Sequence, residues 1–391
     1  MPTHNNDVLR ATEARQTIHA GGGDDEFYWN PAIGSVTFHG GDTNERYDAN
    51  PYMDRTGGDR LFIESKIGVN LRFDTTEDGI ARQGANVLKF TGVERLHLGS
   101  GDDTINGARA HLAPAHDGTP THGLTVYAGD GNDVIIGTAF DDFIDGGSGN
   151  DTIRAGDGHD FIQSSTGDDL IYGGDGSDNI RWGQGNFDEV VGNDTIYGGA
   201  GQDLMNVWIK GGYENSPGVA VKINWVAEGG SFAGTSQTDF GGARSTLQYY
   251  GMEQLWTHEG RDTIDGSGAV IGRGGAGFQA NARWGDDVVL GSRGNDTLEG
   301  GEGRDTINGG RGDDLISANG DFFNMRAPGD GDRDTLIFRA GDGHDTVLGF
   351  DTRIDVLDLG GRHYTATENA HGTLLTIGSD TILLSNVFDL I

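Results

Sequence analysis

Between residues 128 and 206 the apolar positions recur singly, every nine residues, separated by stretches of glycine and polar residues. Ile135, Ile144, Ile153, Ile162, Ile171 and Ile180 hold the phase, and each stands two residues after an aspartate: Asp133, Asp142, Asp151, Asp160, Asp169 and Asp178. The rule continues at Asp194 and Asp203 after the interruption GQGNFDEVVGN at 183–193. It returns as Asp287, Asp296, Asp305 and Asp314, followed by Val289, Leu298, Ile307 and Ile316. A fixed period of this kind marks a repeat architecture. Nine residues suit a turn plus a very short strand: Gly and Asp reverse the chain over six positions, and three strand formers such as Thr152-Ile153-Arg154 follow. Two units then make one coil, with strands alternating between two walls and the aliphatics pointing inward. Turns on one side recur every eighteen residues, so that Asp151 stacks on Asp169 and Asp142 on Asp160.

Such stacking raises an electrostatic problem. Neighbouring coils lie ~4.8 Å apart, the spacing of paired strands, and bare carboxylates at that distance repel strongly. A hard cation between coils removes the repulsion. Calcium fits the ligand set, since it takes six to eight oxygens from carboxylates and backbone carbonyls in flexible loops, whereas magnesium demands stricter octahedral geometry and keeps its waters. Glycine supplies carbonyls and lets the backbone approach an ion that a Cβ would obstruct. The candidate ligands are Asp25, Asp103, Asp133, Asp142, Asp151, Asp160, Asp169, Asp178, Asp194, Asp203, Asp262, Asp287, Asp296, Asp305, Asp314 and Asp345. To these are added the carbonyls of Gly146, Gly149, Gly158, Gly173, Gly176, Gly198, Gly201, Gly291, Gly294, Gly300, Gly303, Gly309 and Gly312.

Composition agrees with a cation-binding repeat. The 391 residues include 70 glycines, and 61 acidic residues against 27 basic ones give a formal net charge of −34. That charge repels nucleic acid and anionic membrane and attracts cations. A chain so charged and so poor in apolar residues could be disordered, but disorder has no use for a phased aliphatic. Cysteine is absent, which excludes disulfides and thiolate metal sites. The opening MPTHNNDVLRATEARQ lacks the apolar stretch of a secretory signal, and no run approaches the ~18 apolar residues of a membrane span. The expectation is export through another address.

The units GGSGNDTIR, GGDGSDNIR, GGAGQDLMN, GSRGNDTLE, GGEGRDTIN and GGRGDDLIS resemble GGxGxDxUx, the calcium-binding nonapeptide of the RTX (repeats in toxin) hemolysin-type family. More degenerate units stand at 20–28 (AGGGDDEFY), 98–106 (LGSGDDTIN) and 340–348 (AGDGHDTVL). The resemblance implies an all-β fold, a right-handed parallel β-roll or β-helix solenoid loaded with several calcium ions. It further implies a secreted protein, extracellular or at the cell surface, exported by a type I secretion apparatus.

Between the runs lies a duplication. GVNLRF at 68–73 and TGVERLHLGSGDDTINGA at 91–108 correspond to GVAVKINW at 218–225 and YGMEQLWTHEGRDTIDGS at 250–267, pairing Gly92 with Gly251 and Glu94 with Glu253. Each copy reads as a strand, a variable excursion and a strand leading into a calcium turn, which gives two β side modules inserted in the roll. The expected division is an N-terminal β region with a degenerate repeat (1–67), a first side module (68–127), a first roll (128–206), a second side module (207–266), a second roll (267–318) and a C-terminal segment (319–391). That last segment resembles the end that closes the roll in related exported proteins, and its terminal VFDLI is similar to their uncleaved export signal.

Catalytic motifs are missing: there is no HExxH, no GxSxG and no P-loop. His159 and His344 occupy the variable fifth position of calcium units, where an outward side chain is expected. His111, His116 and His122 with Asp117 are spaced loosely for zinc. Arg311-Gly312-Asp313 falls inside a nonapeptide whose Gly and Asp are already accounted for. Position three runs Asp130, Ala139, Ser148, Asp157, Thr166 and Asp175, not the regular Thr/Asn rank of an ice-binding face. Trp182, Trp208, Trp225, Trp256 and Trp284 could stack on sugar rings, although packing against the roll accounts for them more simply. The function expected is a secreted calcium-binding β-roll protein that folds on calcium, with a structural, matrix or surface role and extracellular polysaccharide as a candidate partner. The alternative is a polysaccharide-active lyase or epimerase on the same scaffold, for which the four lysines offer little chemistry.

Overall fold

The computed structural model describes residues 6–41, 58–112, 122–183, 191–208, 217–227, 230–238, 245–318 and 331–388. Of the segments singled out above, His116, Asp117, residues 184–190 and the final 389–391 lie outside the described residues. Among the described residues the regular structure is β-strand, apart from one short 3-10 turn at Pro31–Ile33. No described helix is long and apolar enough to cross a membrane. The chain packs as two compact units, residues 1–181 with 191–203, and residues 182–190 with 204–391.

In the first unit each nonapeptide yields one strand of three to eight residues, and successive strands go to alternate sheets. One sheet pairs Thr104–Asn106, Val134–Ile136, Thr152–Asp157, Leu170–Asp175 and Asn193–Ala200 in parallel, in the register Ile105, Ile135, Ile153, Ile171, Ile196. The other pairs Arg95–His97, Thr125–Tyr127, Phe143–Asp145, Phe161–Gln163 and Asn179–Trp182 in parallel, aligning Leu96, Val126, Ile144, Ile162 and Ile180. All ten of these aliphatics are at most 2% exposed. The nine-residue phase thus places one aliphatic per strand in a thin core two walls thick, and burying each contributes about 1.5–3 kcal/mol. Cutting Ile171 back to Ala should cost about 2–5 kcal/mol, because a layer so thin has little material to close the cavity. Urea unfolding in saturating calcium measures it, and a loss below about 1 kcal/mol would show that the aliphatic column is not the core.

The first side module is a three-stranded antiparallel sheet, Asn70–Phe73, Gly79–Gln83 and Asn86–Thr91, that joins the roll sheet at both ends. Asn86–Thr91 runs parallel to Val36–Gly41, and Asn70–Phe73 runs parallel to Thr104–Asn106. In the second unit Pro217–Val226, Phe232–Thr238 and Ser245–Met252 repeat the meander, and Pro217–Val226 runs parallel to Arg261–Asp265. The variable excursion is therefore a hairpin that widens one wall while leaving the turns in phase.

The second unit repeats the alternation. Arg261–Asp265, Val288–Leu290, Thr306–Asn308, Thr335–Ile337 and Val356–Asp358 form one parallel series. Ala276–Asn281, Asn295–Glu299, Leu315–Ser317 and His344–Leu348 belong to the other. Asp380–Ser385 then pairs in parallel with His344–Leu348 and folds back antiparallel through Gly372–Ile377 and Thr365–Asn369.

Candidate metal centres in the turns

Each turn is tied to the next by its sixth residue. The aspartate carboxylate folds back so that Oδ1 accepts the backbone N–H of the aspartate one coil earlier. On one edge of the first unit the N–H groups of Asp103, Asp133, Asp151 and Asp169 donate to Asp133, Asp151, Asp169 and Asp194 at 2.7–2.8 Å. On the other edge Asp142, Asp160 and Asp178 donate to Asp160, Asp178 and Asp203 at 2.8–2.9 Å. In the second unit Asp262 donates to Asp287 and Asp287 to Asp305, while Asp296 donates to Asp314 and Asp314 to Asp345. Asp25 belongs to a further stack, donating to Asp59 at 2.8 Å. The structure thus gathers every aspartate expected as a ligand into these columns.

The second oxygen carries the chemistry. In Asp25, Asp133, Asp151, Asp160, Asp169, Asp178, Asp262, Asp287 and Asp314 the Oδ2 atom is buried and accepts no hydrogen bond among the described residues. An unmatched buried charge of this kind costs several kcal/mol. Burial first, then neighbouring carboxylates, push Asp160, Asp169 and Asp287 up to about 9 and Asp151 and Asp314 up to about 8. Burial likewise lifts Asp133 to about 7.

Glycine keeps the space beside that oxygen open. A Cβ on Gly173 would lie 2.4 Å from Asp178 Oδ2 and 2.5 Å from the Gly198 carbonyl oxygen, and one on Gly146 2.5 Å from Asp151 Oδ2. On Gly300 and Gly309 it would lie 2.3 Å and 2.2 Å from the second oxygens of Asp305 and Asp314. Fourth-position carbonyls face the next coil in the same way: Gly149 toward Gly167, Gly158 toward Gly176, Gly176 toward Gly201, Gly294 toward Gly312 and Gly312 toward Gly343. Gly147, Gly149, Gly174 and Gly176 all have positive φ, between 90° and 136°, which a residue with a Cβ adopts only at a cost. Nine of these turns therefore present a bare carboxylate oxygen, and beside Gly173 it stands next to a backbone carbonyl, the mixed oxygen set that calcium takes. Among the described residues no three His, Cys, Asp or Glu side chains converge as a metal cluster. The donor set here is mostly backbone.

Two candidate ligands differ from the rest. The Asp142 carboxylate accepts from the Thr138 N–H and hydroxyl, and Asp296 from the Ser292 N–H and hydroxyl. At position two of these units a hydroxyl residue replaces glycine and supplies donors of its own.

The fifth position does more than point outward. Its side chain accepts an N–H from the following coil: Asn132 from Asn150, Asn150 from Asp168, and Asp168 from Asn193. His159 takes the same place, with Nδ1 accepting from the Ser177 N–H at 2.8 Å, and His344 Nδ1 lies 2.9 Å from Thr381 Oγ1. Replacing Asp160 by Asn should raise the calcium concentration at half-folding several-fold, while His159→Ala, which loses one exposed hydrogen bond between coils but no carboxylate, raises it far less. Calcium titrations followed by circular dichroism decide this, and equal midpoints would put the ligand elsewhere. Among the tryptophans Trp182 is fully buried, whereas Trp225 and Trp284 are 47% and 37% exposed. The Arg283 guanidinium lies 4.8 Å and 4.9 Å from the ring centres of Trp256 and Trp284.

Sequence reasoning missed four column members. Asp305 donates to Asp334 and Asp334 to Asp355, and Asp59 donates to Glu94 at 2.6 Å. For Asp334 and Asp355 a signal existed, since Leu336 and Leu357 follow two residues later. Asp59 and Glu94 lack a complete nonapeptide.

Parallel walls joined by stacked glycine–aspartate turns define a β-roll of the calcium-binding type. The description of one repeat family, the RTX calcium-binding nonapeptide repeat (4 copies), matches residues 5–28, 90–109, 127–162, 154–186, 191–207 and 282–316. The chain therefore carries RTX calcium-binding nonapeptide repeats in both of its units and folds as a β-roll. Among solved structures it is similar to the extracellular lipase LipA from Serratia marcescens, at 16% identity over 66% of this chain and 43% of the lipase chain, with a TM-score of 0.21. The chain thus spans less than half of that lipase. No curated protein matches it.

Proposed function

We propose that this is a secreted β-roll protein that folds on binding calcium and then serves as a structural, matrix or surface-binding module, exported through a type I apparatus. The reading rests chiefly on the nine buried Oδ2 atoms without a hydrogen-bond partner. The column aspartates and the first- and fourth-position glycine carbonyls would hold the ions, and the bound ions supply the positive charge that lets neighbouring carboxylates stay ionised. The protein's own contribution is geometric: Oδ1 is fixed by the N–H of the previous coil, leaving Oδ2 aimed at the glycine cradle. Binding to the native state alone stabilises by RT ln(1 + [Ca]/Kd), about 1.4 kcal/mol per site at ten times Kd and almost nothing far below it. A calcium-poor cytosol would keep the chain unfolded for export, and calcium-rich surroundings would fold it.

Extracellular polysaccharide is the partner proposed for the exposed indoles Trp225 and Trp284, the second of which has Arg283 over its ring. Sedimentation with insoluble polysaccharide in calcium should show binding that Trp225→Ala with Trp284→Ala abolishes. Binding unaffected by the double substitution would remove the indoles from that role.

A further inference from the structure

We propose a further calcium site at Gly40, Asp59 and Gly92, in a coil that no intact nonapeptide marks. It rests on the reading above that bare column carboxylates hold calcium.

Strand Thr17–Gly21 runs parallel to Val36–Gly41, which places Gly41 beside Gly21. Gly40 and Gly41 therefore stand where Ala20 and Gly21 begin the unit AGGGDDEFY. That unit closes on Asp24 and Asp25. In the next coil Gly58 and Asp59 take those places: the Gly58 N–H donates to Asp24 Oδ1 at 3.2 Å, and the Asp25 N–H donates to Asp59 Oδ1 at 2.8 Å. The unit is thus begun at residue 40 and completed at residue 59, with an insertion between, and the site uses none of the inserted residues.

The geometry at its mouth matches that of an intact repeat. A Cβ on Gly40 would meet Asp59 Oδ2 at 2.2 Å and the Gly92 carbonyl oxygen at 2.0 Å. The corresponding point at Gly173 meets Asp178 Oδ2 at 2.4 Å and the Gly198 carbonyl oxygen at 2.5 Å. Asp59 is 0% exposed, and its Oδ2 accepts no hydrogen bond among the described residues. A buried carboxylate oxygen and a carbonyl therefore face one point that glycine alone keeps open. The repeat match leaves residues 29–89 uncovered, so the pattern of the chain does not reveal the site.

Glu94 finishes the column where a shorter turn would leave a gap. The coil through Gly92 passes from that glycine to Arg95, the partner of Arg60, with only Val93 and Glu94 between, where an intact unit has five residues. An aspartate on so short a turn sits too far back, and the extra methylene of glutamate lets Oε2 accept the Asp59 N–H at 2.6 Å. Glu94 is thus a positioning residue. Gly92, at φ 59°, recurs in the duplicate as Gly251 at φ 68°, again two residues before a glutamate, Glu253.

Crystals of the full chain grown in calcium test the proposal by anomalous difference density. A peak is expected within ~2.3–2.6 Å of Asp59 Oδ2 and the Gly92 carbonyl. Peaks beside Asp160 and Asp178 with none beside Asp59 would overturn this site while leaving the proposed function standing, and an absence of peaks at both would overturn the two together. Equilibrium dialysis of calcium against full-length Asp59→Asn, which keeps an acceptor for the Asp25 N–H, should show one bound ion fewer than the unsubstituted chain. Unchanged stoichiometry in that variant, when Asp160→Asn does lose an ion, counts against the site in the same way.

Discussion

In chelator at pH 8 the far-UV circular dichroism of the full chain is expected to be that of a disordered polypeptide, and millimolar calcium should convert it to β. The reason lies in the buried columns. Without metal, Asp151, Asp160, Asp169, Asp287 and Asp314 can be accommodated only by holding protons up to about 8 or 9, whereas in the unfolded chain each ionises near 4. Folding therefore takes up protons between those limits. The linkage sign follows: stability of the metal-free roll is greatest below about pH 4 and falls as pH rises through about 9, by about 1.4 kcal/mol per pH unit for each such group. Several such groups act together against the 5–15 kcal/mol that holds a typical domain together. Acidifying the chelated protein to pH 4 should accordingly restore part of the β signal. In calcium the slope reverses, since protons then compete with the ion for the same oxygens. A metal-free chain that keeps its full β signal at pH 8 would contradict the account, and so would one in which acidification restores nothing.

Much of this was legible in the chain because a repeat makes local and global structure the same problem. The aspartate–aliphatic phase gave strand length, wall alternation and the column partners, since a residue at a fixed place in one coil contacts the same place in the next. The fifth position was harder. His159 and Asn150 look like free surface side chains in sequence, and only the backbone of the neighbouring coil shows that each accepts an N–H. Asp142 and Asp296 share the phase of their neighbours, yet the N–H and hydroxyl groups of Thr138 and Ser292 saturate their carboxylates, while Ser165 at the same position of its unit turns to Asp145 and leaves Asp169 Oδ2 bare. Asp59 escaped because the insertion separates it from its glycines, and Glu94 because a different side chain reaches the same N–H from a shorter turn. In each case spacing along the chain had been traded for position in space.

Deleting residues 334–391 is expected to raise the calcium midpoint of folding and to flatten the transition. The segment supplies the last column partners of the second unit: the Asp305 N–H donates to Asp334 and the Asp314 N–H to Asp345. It also covers the open sheet edge. Asp380–Ser385 lies along His344–Leu348, and the antiparallel strands Gly372–Ile377 and Thr365–Asn369 follow, burying Leu375, Ile382 and Leu384. Within the segment the Asp380 carboxylate pairs with Arg362 at 3.0 Å and accepts the Gly341 N–H at 2.9 Å, tying the hairpin to the turn before His344. This end buries an apolar hairpin of its own, so it can form first and offer a finished edge to the next coil. In a one-dimensional array each coil added to an existing one gains an interface that the first coil lacks. Removing the hairpin forces nucleation within the calcium-dependent coils, where every carboxylate column must be filled before an interface exists. The cost then appears as a higher midpoint and lost cooperativity, read from calcium titrations of the full and truncated chains at one protein concentration. A truncated chain with the same midpoint and steepness would show that the hairpin merely covers the roll and does not nucleate it.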